Sequence, residues 1–104
     1  MNTTHEILPP DVMVRNATQA ADLLKLLANA KRLEILCTLV GGEKSVGELV
    51  NITNLSQSAV SQHLSKLKAS GIIKDEKRGQ MVYYALASME VNAILSTLYL
   101  IYCR

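Results

Sequence analysis

Residues 55–73 read LSQSAVSQHLSKLKASGII, and this stretch carries two patterns on one short helix. Val60, Leu64 and Leu67 recur at the spacing of one helical face, which predicts a helix packed on an apolar core. Serine and glutamine dominate the other face, although Glu and Lys are the usual choice for a helix face in water. The polar face therefore indicates contact with something other than solvent.

Helical signals precede this stretch. Apolar residues at helical spacing begin after Arg15 and predict a first helix, and a second helix is expected to end at Gly41–Gly42. Ser45 and Glu48 form the Ser-x-x-Glu pattern of a capping box, which opens a third, short helix. The gap between this helix and the next is as short as a helix-turn-helix requires.

Capping and turn signals also organise the second half of the chain. Ser56 is the expected N-cap of the fourth helix, and Gly71 is expected to end it. Two β-prone runs then flank a charged turn that contains Gly79, which predicts a hairpin. Ser88 is expected to cap a last helix over 89–102, which is apolar around so much of its surface that we expect a partner subunit to cover one side.

The predicted order is therefore four helices, a hairpin and a final helix in one domain. We expect residues 14–104 to form this domain, and we interpret residues 1–13, which hold both prolines and no clear period, as a mobile N-terminal tail. The absence of Trp and Phe from the sequence favours a core of aliphatic residues, as in packed helices.

Charge and composition exclude several classes of protein. Eleven basic and nine acidic residues give a net charge of +2, which is too small to indicate nucleic-acid binding from total charge alone. No run is long and apolar enough to span a membrane, and the N-terminus lacks the pattern of a secretory signal. We therefore expect a cytoplasmic protein, in which a permanent disulfide between its two cysteines is not expected.

The polar face of the fourth helix is interpreted as a surface that reads double-stranded DNA. Short hydroxyls and amides can hydrogen-bond to base edges and allow a helix to enter a major groove. The alternative, a solvated polar face, is disfavoured because the helix follows a tight turn and precedes a basic hairpin. The cap Ser56 can hold a phosphate with the free amides beside it. The expected contacts on this helix are Ser56, Gln57, Ser58, Ser61, Gln62, His63, Ser65 and Lys66.

The basic side chains that are not expected to contact bases each allow two interpretations. Lys77 and Arg78 at the hairpin tip can reach the DNA backbone or a minor groove, or they can belong to a solvated turn. His63 lies near the apolar stripe, where it can touch a phosphate or simply pack. Lys66 is exposed under either interpretation.

Residues 31–86 resemble the winged helix-turn-helix of the ArsR/SmtB family of bacterial regulators, and the match extends from about Ala20 to the end of the sequence. The recognition stretch 55–73, followed by RGQMVYYAL at 78–86, carries this resemblance. It implies a mainly α, winged helix-turn-helix fold of order α-α-α-α-β-β-α, with a recognition helix at 56–69 and a wing at 72–86. It also implies a symmetric homodimer built on the first and last helices, which agrees with the broad apolar surface of the last helix.

Metal sensing, which is common in that family, is disfavoured by the residues present. Ser45 and Gly47 stand where one type of site in the family has its two cysteines. The last helix offers Glu90 but no histidine, and His5 and His63 lie far apart in sequence. We predict no metal site and no cofactor, although a soft metal on two cysteines remains an alternative.

Cys37 and Cys103 are the remaining candidates for a sensor. On sequence alone, Cys37 is a small apolar residue on the stripe of the second helix, whereas Cys103 lies outside the main stripe of the last helix. Their positions resemble a dithiol branch of the family represented by BigR, SqrR and HlyU. The resemblance implies a regulator that loses operator affinity when reactive sulfur species or an oxidant oxidise or bridge Cys37 and Cys103. We expect a repressor, although members of this branch differ in their inducer and some counteract another repressor instead.

Two other classes of function are weighed against this one. An enzyme would need a catalytic constellation, and no catalytic motif surrounds Cys37 or His63, so we predict that the chain is not an enzyme. A winged-helix interaction module without DNA binding, or a metal-responsive repressor, remains the alternative. Salt-sensitive DNA binding separates the interaction module from the regulator.

Overall fold

A computed structural model describes residues 10–103 and has the winged helix-turn-helix architecture. It is mainly helical, with one small antiparallel sheet, which confirms the predicted fold class. Its elements are α1 (Pro10–Leu27), α2 (Ala30–Val40), β1 (Lys44–Ser45), α3 (Val46–Thr53), α4 (Gln57–Ala69), β2 (Ile73–Arg78), β3 (Met81–Leu86) and α5 (Met89–Tyr102).

Side-chain caps fix where four of the helices begin, and at α2 the side-chain oxygen of Asn29 accepts the amide of Arg32. At α3 the Ser45 hydroxyl accepts the amide of Glu48, and the Glu48 carboxylate accepts the amide of Ser45, so the predicted capping box is formed. Ser56 caps α4 and Ser88 caps α5, each by accepting an amide three residues ahead. Each cap satisfies an amide that the helix itself leaves without an acceptor.

Left-handed backbone positions end α3 and α4. Asn54, with φ of 58°, is the cap of α3 and makes the turn of the helix-turn-helix. Gly71, with φ of 77°, follows α4, where the amide of Ile72 donates to the carbonyl of Leu67 and the amide of Gly71 to that of Lys68. This pair of bonds is a Schellman motif, and it turns the chain directly from α4 into β2.

The core lies where α2, α3, α4 and α5 meet the base of the sheet. On α4 it is formed by Val60, Leu64 and Leu67, the three residues that define the apolar stripe in the sequence. Fully burying one such side chain stabilises the fold by about 1.5–3 kcal/mol. This packing holds the opposite, polar face of α4 outward. The other buried apolar residues are Leu27, Ile35, Leu36, Leu39, Leu49, Ile72, Ile73, Val91 and Leu95.

The sheet has the strand order β1-β3-β2, and its hairpin of β2 and β3, residues 73–86, is called the wing below. Gly79 and Gln80 form the turn between the strands, and Gly79 has a φ of 63°. The strand β1 was not predicted, because two residues are too few to show a period. It pairs Ser45 with Tyr83 and so joins the wing to the start of α3.

The first helix begins earlier than the sequence indicated. Helix α1 starts at Pro10, so residues 10–13 of the predicted mobile tail are helical, and residues 1–9 lie outside the described residues. Proline is well suited to a first helical turn, where its missing amide has no partner to lose. The expectation of a tail therefore concerns residues 1–9 alone.

Two helices leave much of their apolar surface uncovered. Of the residues of α1, only Leu27 is buried, whereas Val14 and Leu24 are exposed. Helix α5 buries Val91 and Leu95 but exposes Ile101 and other apolar side chains near its end. One side of α5 is therefore buried in its own domain, whereas apolar side chains on another side are left exposed, as expected from the sequence. No helix within residues 10–103 has the length and apolar character that crossing a membrane requires.

Candidate DNA-reading surface and thiol pocket

The outer side of α4 presents a continuous polar surface. Val60, Leu64 and Leu67 face the core, so the opposite side of α4 is turned away from it. Five of the predicted contacts line one open depression here and are called the reading face: Ser58, Ser61, Gln62, Ser65 and Lys66. All five are exposed, and none of their side chains forms an ion pair with a residue of the described chain. The reading face is therefore available to a partner.

The beginning of α4 is arranged differently. The Ser56 hydroxyl oxygen accepts the amide of Ala59 at 3.1 Å, and its own O–H stays available to donate. Gln57 lies outside the reading face and lines a second depression together with Gly47 of α3 and Gln80 of the wing. Both residues are exposed, and Gln57 lies at the junction of α4 with α3 and the wing.

His63 is held by a neighbouring helix. The Nε of Arg32 in α2 lies 3.4 Å from Nδ1 of His63, which accepts its hydrogen bond, and Nη1 of Arg32 donates to the carbonyl of Leu26 at 2.7 Å. Burial, and then the charges of Arg32 and Lys66, lower the pKa of His63. A half-buried imidazole with a depressed pKa is neutral at pH 7, and its geometry favours the packing interpretation.

The two basic residues of the wing lie on opposite faces of β2. Side chains alternate along a strand, so Lys77 shares a face with Asp75, whereas Arg78 shares one with Glu76. Nζ of Lys68 in α4 lies 2.9 Å from a carboxylate oxygen of Asp75 and forms an ion pair with it. Lys77, on the same face as Asp75, therefore lies on the side of the wing that meets α4. Within residues 10–103 Lys77 forms no ion pair.

Arg78, in contrast, is fully engaged. Its Nη1 and Nη2 donate to the two carboxylate oxygens of Glu43 at 2.6 and 2.7 Å, and Nη2 also reaches Glu76 at 2.7 Å. Its guanidinium lies over the Tyr83 ring, 4.9 Å from the centroid. The hydrogen bonds from Arg78 also lower the pKa of Glu43. A DNA contact by Arg78 stays a prediction, and it would have to compete with two carboxylates.

The two cysteines line the same cavity, which is called the thiol pocket. Cys37 comes from α2 and Cys103 follows α5, and both are free thiols. The cavity has a volume of about 470 Å³, and its other lining residues are Leu33, Leu98, Tyr99 and Tyr102. Residues 66 positions apart in sequence are thus brought to one apolar hollow between α2 and α5.

The two thiols differ in environment. Cys37 is half-buried, and its pKa is raised first by burial and then by the negative charge of Cys103. Cys103 is exposed at the end of α5. The two thiols therefore share one pocket but differ in exposure, and only Cys37 is partly shielded from solvent.

Sequence reasoning missed two residues of these sites. Tyr99 lies one helical turn before Cys103, and this four-residue spacing could have placed it beside the thiol. Glu43 gave no local signal, because its partner Arg78 is 35 residues away. Within residues 10–103 no three His, Cys, Asp or Glu side chains come together as metal ligands.

Comparisons with known proteins identify the family. Residues 29–75 match the bacterial regulatory proteins of the arsR family. The transcriptional activator HlyU of Vibrio cholerae is 47% identical over 92 residues, which cover 88% of this chain and 85% of HlyU. The structure of reduced HlyU from that organism matches with a TM-score of 0.83, at 47% identity, over 88% of this chain and 97% of the HlyU chain.

Two further solved structures have the same fold. The transcriptional repressor BigR from Xylella fastidiosa matches with a TM-score of 0.85 and 35% identity, over 93% of this chain and 99% of BigR. A homodimeric winged helix-turn-helix DNA-binding domain from Mycobacterium bovis, from a possible ArsR-family transcriptional regulator, matches with a TM-score of 0.74 and 28% identity, over 85% and 82% of the two chains.

These relatives confirm two predictions made from the sequence. HlyU and BigR belong to the branch that the cysteine positions resemble, and both are named as transcriptional regulators rather than enzymes. The identity to HlyU extends over most of both chains and is not confined to the DNA-binding motif. The chain is therefore a transcriptional regulator that belongs to the ArsR family of bacterial regulatory proteins.

Proposed function

We propose that this chain is a homodimeric, operator-binding regulator that loses DNA affinity when Cys37 and Cys103 become covalently linked. The observation that carries the proposal is that both thiols line one pocket between α2 and α5. Helix α2 packs on the helix-turn-helix, and α5 carries exposed apolar surface suited to a partner subunit. A covalent link between these helices would therefore act on the DNA-binding unit and on the dimer together.

DNA recognition is assigned to α4 and to the wing. The reading face offers hydroxyl and amide groups, which can donate to and accept from base edges in a major groove. Ser56 and Lys66, which are exposed, are assigned to phosphate contacts, and exposed Lys77 is assigned to the same role on the wing. Phosphate contacts position the protein, whereas base contacts select the sequence.

The dimer is assigned to α1 and α5. Apolar side chains are exposed on both helices, at Val14 and Leu24 in α1 and at Ile101 in α5. A two-fold axis would use the same patch on both subunits, so one self-complementary surface is enough to form the dimer. The homodimeric relative from Mycobacterium bovis supports the proposal of a homodimer.

The chemistry of the switch needs only the two thiols and an oxidant. With hydrogen peroxide, the two thiols form a disulfide and two waters are released. With two molecules of an organic persulfide, they form a trisulfide and release two thiols and one hydrogen sulfide. Exposed Cys103 is the site of first attack, because burial and the charge of Cys103 disfavour the thiolate of Cys37.

Such a link would weaken DNA binding by changing dimer geometry. Two recognition helices of a dimer must meet half-sites about one turn of DNA apart, so a small rotation prevents both from docking. Couplings of about 1–3 kcal/mol between two sites are typical of allosteric proteins and would lower operator affinity by about five- to 150-fold. Repression, rather than activation, stays a prediction, because the named relatives include both an activator and a repressor.

The test is DNA binding by oxidised and reduced protein. A duplex selected from a random-sequence pool by the reduced protein serves as operator, and wild type, Cys37→Ser and Cys103→Ser are each treated with an organic persulfide. Wild type should gain an intramolecular crosslink and release the duplex, while both variants stay bound. Release by either single variant as complete as that of wild type would refute the two-cysteine switch. Absence of salt-sensitive DNA binding would favour the interaction module instead.

A further inference from the structure

We propose that Arg78 is a positioning residue that anchors the wing to the loop after α2, and that Lys77 makes the wing's contact with DNA. The inference rests on the proposed DNA-binding function, and it assigns different roles to two neighbouring basic residues. The sequence alone treats them alike, since both lie at the tip of a charged hairpin.

The first step is the geometry of the ion-pair cluster. Arg78 meets Glu43 with both terminal nitrogens, at 2.6 and 2.7 Å, which is the bidentate arrangement that suits a planar guanidinium. Single surface ion pairs contribute little, but a bidentate pair within a network is the exception. Glu76 and the ring of Tyr83 complete the network around the same guanidinium.

The second step is what the cluster joins. Glu43 lies in the loop between α2 and β1, whereas Arg78 is the last residue of β2, directly before the wing turn. The strand β1 that follows Glu43 is two residues long and pairs with β3 only at Lys44 and Ser45. The contact between Glu43 and Arg78 therefore extends the attachment of the wing outward to its tip.

The third step is the availability of each cation to DNA. Arg78 already faces two carboxylates, so contact with a phosphate would require it to leave both. Lys77 points to the opposite face of β2, on the side where Asp75 meets α4. Lys77 therefore lies on the same side of the wing as α4, the helix that carries the reading face. Within residues 10–103 Lys77 forms no ion pair.

Two matched substitutions separate anchoring from direct contact. Glu43→Gln and Glu76→Gln each neutralise one of the two carboxylates that pair with the Arg78 guanidinium. Only Glu43 connects the wing tip to the body of the protein. If Arg78 contacted DNA, both changes would free it and tighten binding. If Arg78 anchors the wing, Glu43→Gln weakens operator binding by about three- to tenfold, an effect expected of losing an ion-pair network. Glu76→Gln does not weaken it.

A conservative substitution of the arginine gives an independent comparison. Lysine is a good phosphate ligand as a point charge but cannot form the fork on a carboxylate. Arg78→Lys should therefore weaken operator binding in the same range as Glu43→Gln. Affinity falls as salt rises, so the slope of log affinity against log salt is negative. Lys77→Gln should reduce the magnitude of this slope by about one, the effect of losing one phosphate contact.

The anchor is also measurable in the free protein. Amide hydrogen exchange at residues 79–81 should be faster in Glu43→Gln and in Arg78→Lys than in wild type or Glu76→Gln. Unchanged exchange and unchanged or tighter DNA binding by Glu43→Gln would overturn the proposal. If wild type bound no DNA, the proposed function would fail, and the exchange measurement would still decide whether Arg78 anchors the wing.

Discussion

The hydroxyl of Tyr99 donates a hydrogen bond to the backbone carbonyl of Cys37 at 3.3 Å. The carbonyl of Tyr99 in turn accepts the amide of Cys103 at 2.9 Å, so this tyrosine is bonded to the backbone of both cysteines. Burial raises its pKa first, followed by the charges of Cys37 and Cys103, and the protonated hydroxyl is the form that donates. Tyr99 thus fixes the end of α5 against α2 and holds the thiol pocket in shape.

We expect Cys103 to react before Cys37. Burial raises the pKa of Cys37, and the negative charge of Cys103 raises it further, whereas Cys103 is exposed. The thiolate is the reactive form, and burial still disfavours it at Cys37 when Cys103 is replaced, so iodoacetamide at pH 7.5 should alkylate Cys103 in Cys37→Ser several-fold faster than Cys37 in Cys103→Ser. Mass spectrometry over time measures both rates. Equal rates, or a faster reaction at Cys37, would contradict the assignment of first attack.

Substitutions on the reading face should affect sequence recognition more than general DNA affinity. Ser61→Ala or Gln62→Ala removes a group able to bond a base edge, and loss of a good base contact costs about 1–3 kcal/mol of discrimination. Binding to the selected duplex should weaken, while binding to a duplex of unrelated sequence stays near that of wild type. The assignment of the reading face is wrong if both variants bind the selected duplex as wild type does.

Acid should destabilise the protein through His63. Its pKa is lowered in the folded state, so the unfolded chain binds the proton at a higher pH, near the ordinary value of 6.5. The stability that neutral His63 contributes is therefore complete above pH 6.5 and is lost as the pH falls through the lowered value. Urea unfolding at pH 7.5 and 5.5 should show a larger loss for wild type than for His63→Gln, in which the amide oxygen can still accept from Arg32. Equal losses in the two proteins would mean that this imidazole is not the group responsible.

A charge on the exposed side of α5 should separate the proposed dimer. Ile101 is 54% exposed in the single chain, and burying an unpaired carboxylate there would be costly. Ile101→Asp should raise the dissociation constant by more than about tenfold in analytical ultracentrifugation. Ile52→Asp is the control, since Ile52 is 49% exposed but lies on α3, away from the assigned interface. A monomeric wild type at micromolar concentration would refute the assignment.

Local signals predicted most of the fold, because helix caps depend on neighbours in sequence. Ser45 with Glu48, Ser56 and Ser88 mark helix starts correctly, since each cap bonds an amide three residues away. The start of α1 was missed because the first turns of this helix bury no side chain that would give a period.

Long-range partners could not be predicted in the same way. The pairing of Arg78 with Glu43 and that of Tyr99 with Cys37 join residues 35 and 62 positions apart. Such contacts depend on how the elements pack, which the local pattern does not encode. The two cysteines were singled out by their type and place, but the pocket between them is a product of the packing of α2 and α5.

Gly71 provides a test of the turn that joins the recognition helix to the wing. A Cβ added there would meet no atom within 4 Å, but the φ of 77° is one that L-residues adopt only at a cost. Gly71→Ala should therefore lower the free energy of unfolding by about 1–2 kcal/mol, through backbone strain alone. Gly41→Ala is the matched control, because Gly41 has a φ of −77° and its added Cβ would lie 3.5 Å from the carbonyl oxygen of Thr38, an ordinary contact. The control should be neutral or slightly stabilising, since alanine restricts the unfolded chain. Urea unfolding measures both, and equal stability of the two variants would show that the Schellman turn does not require its glycine.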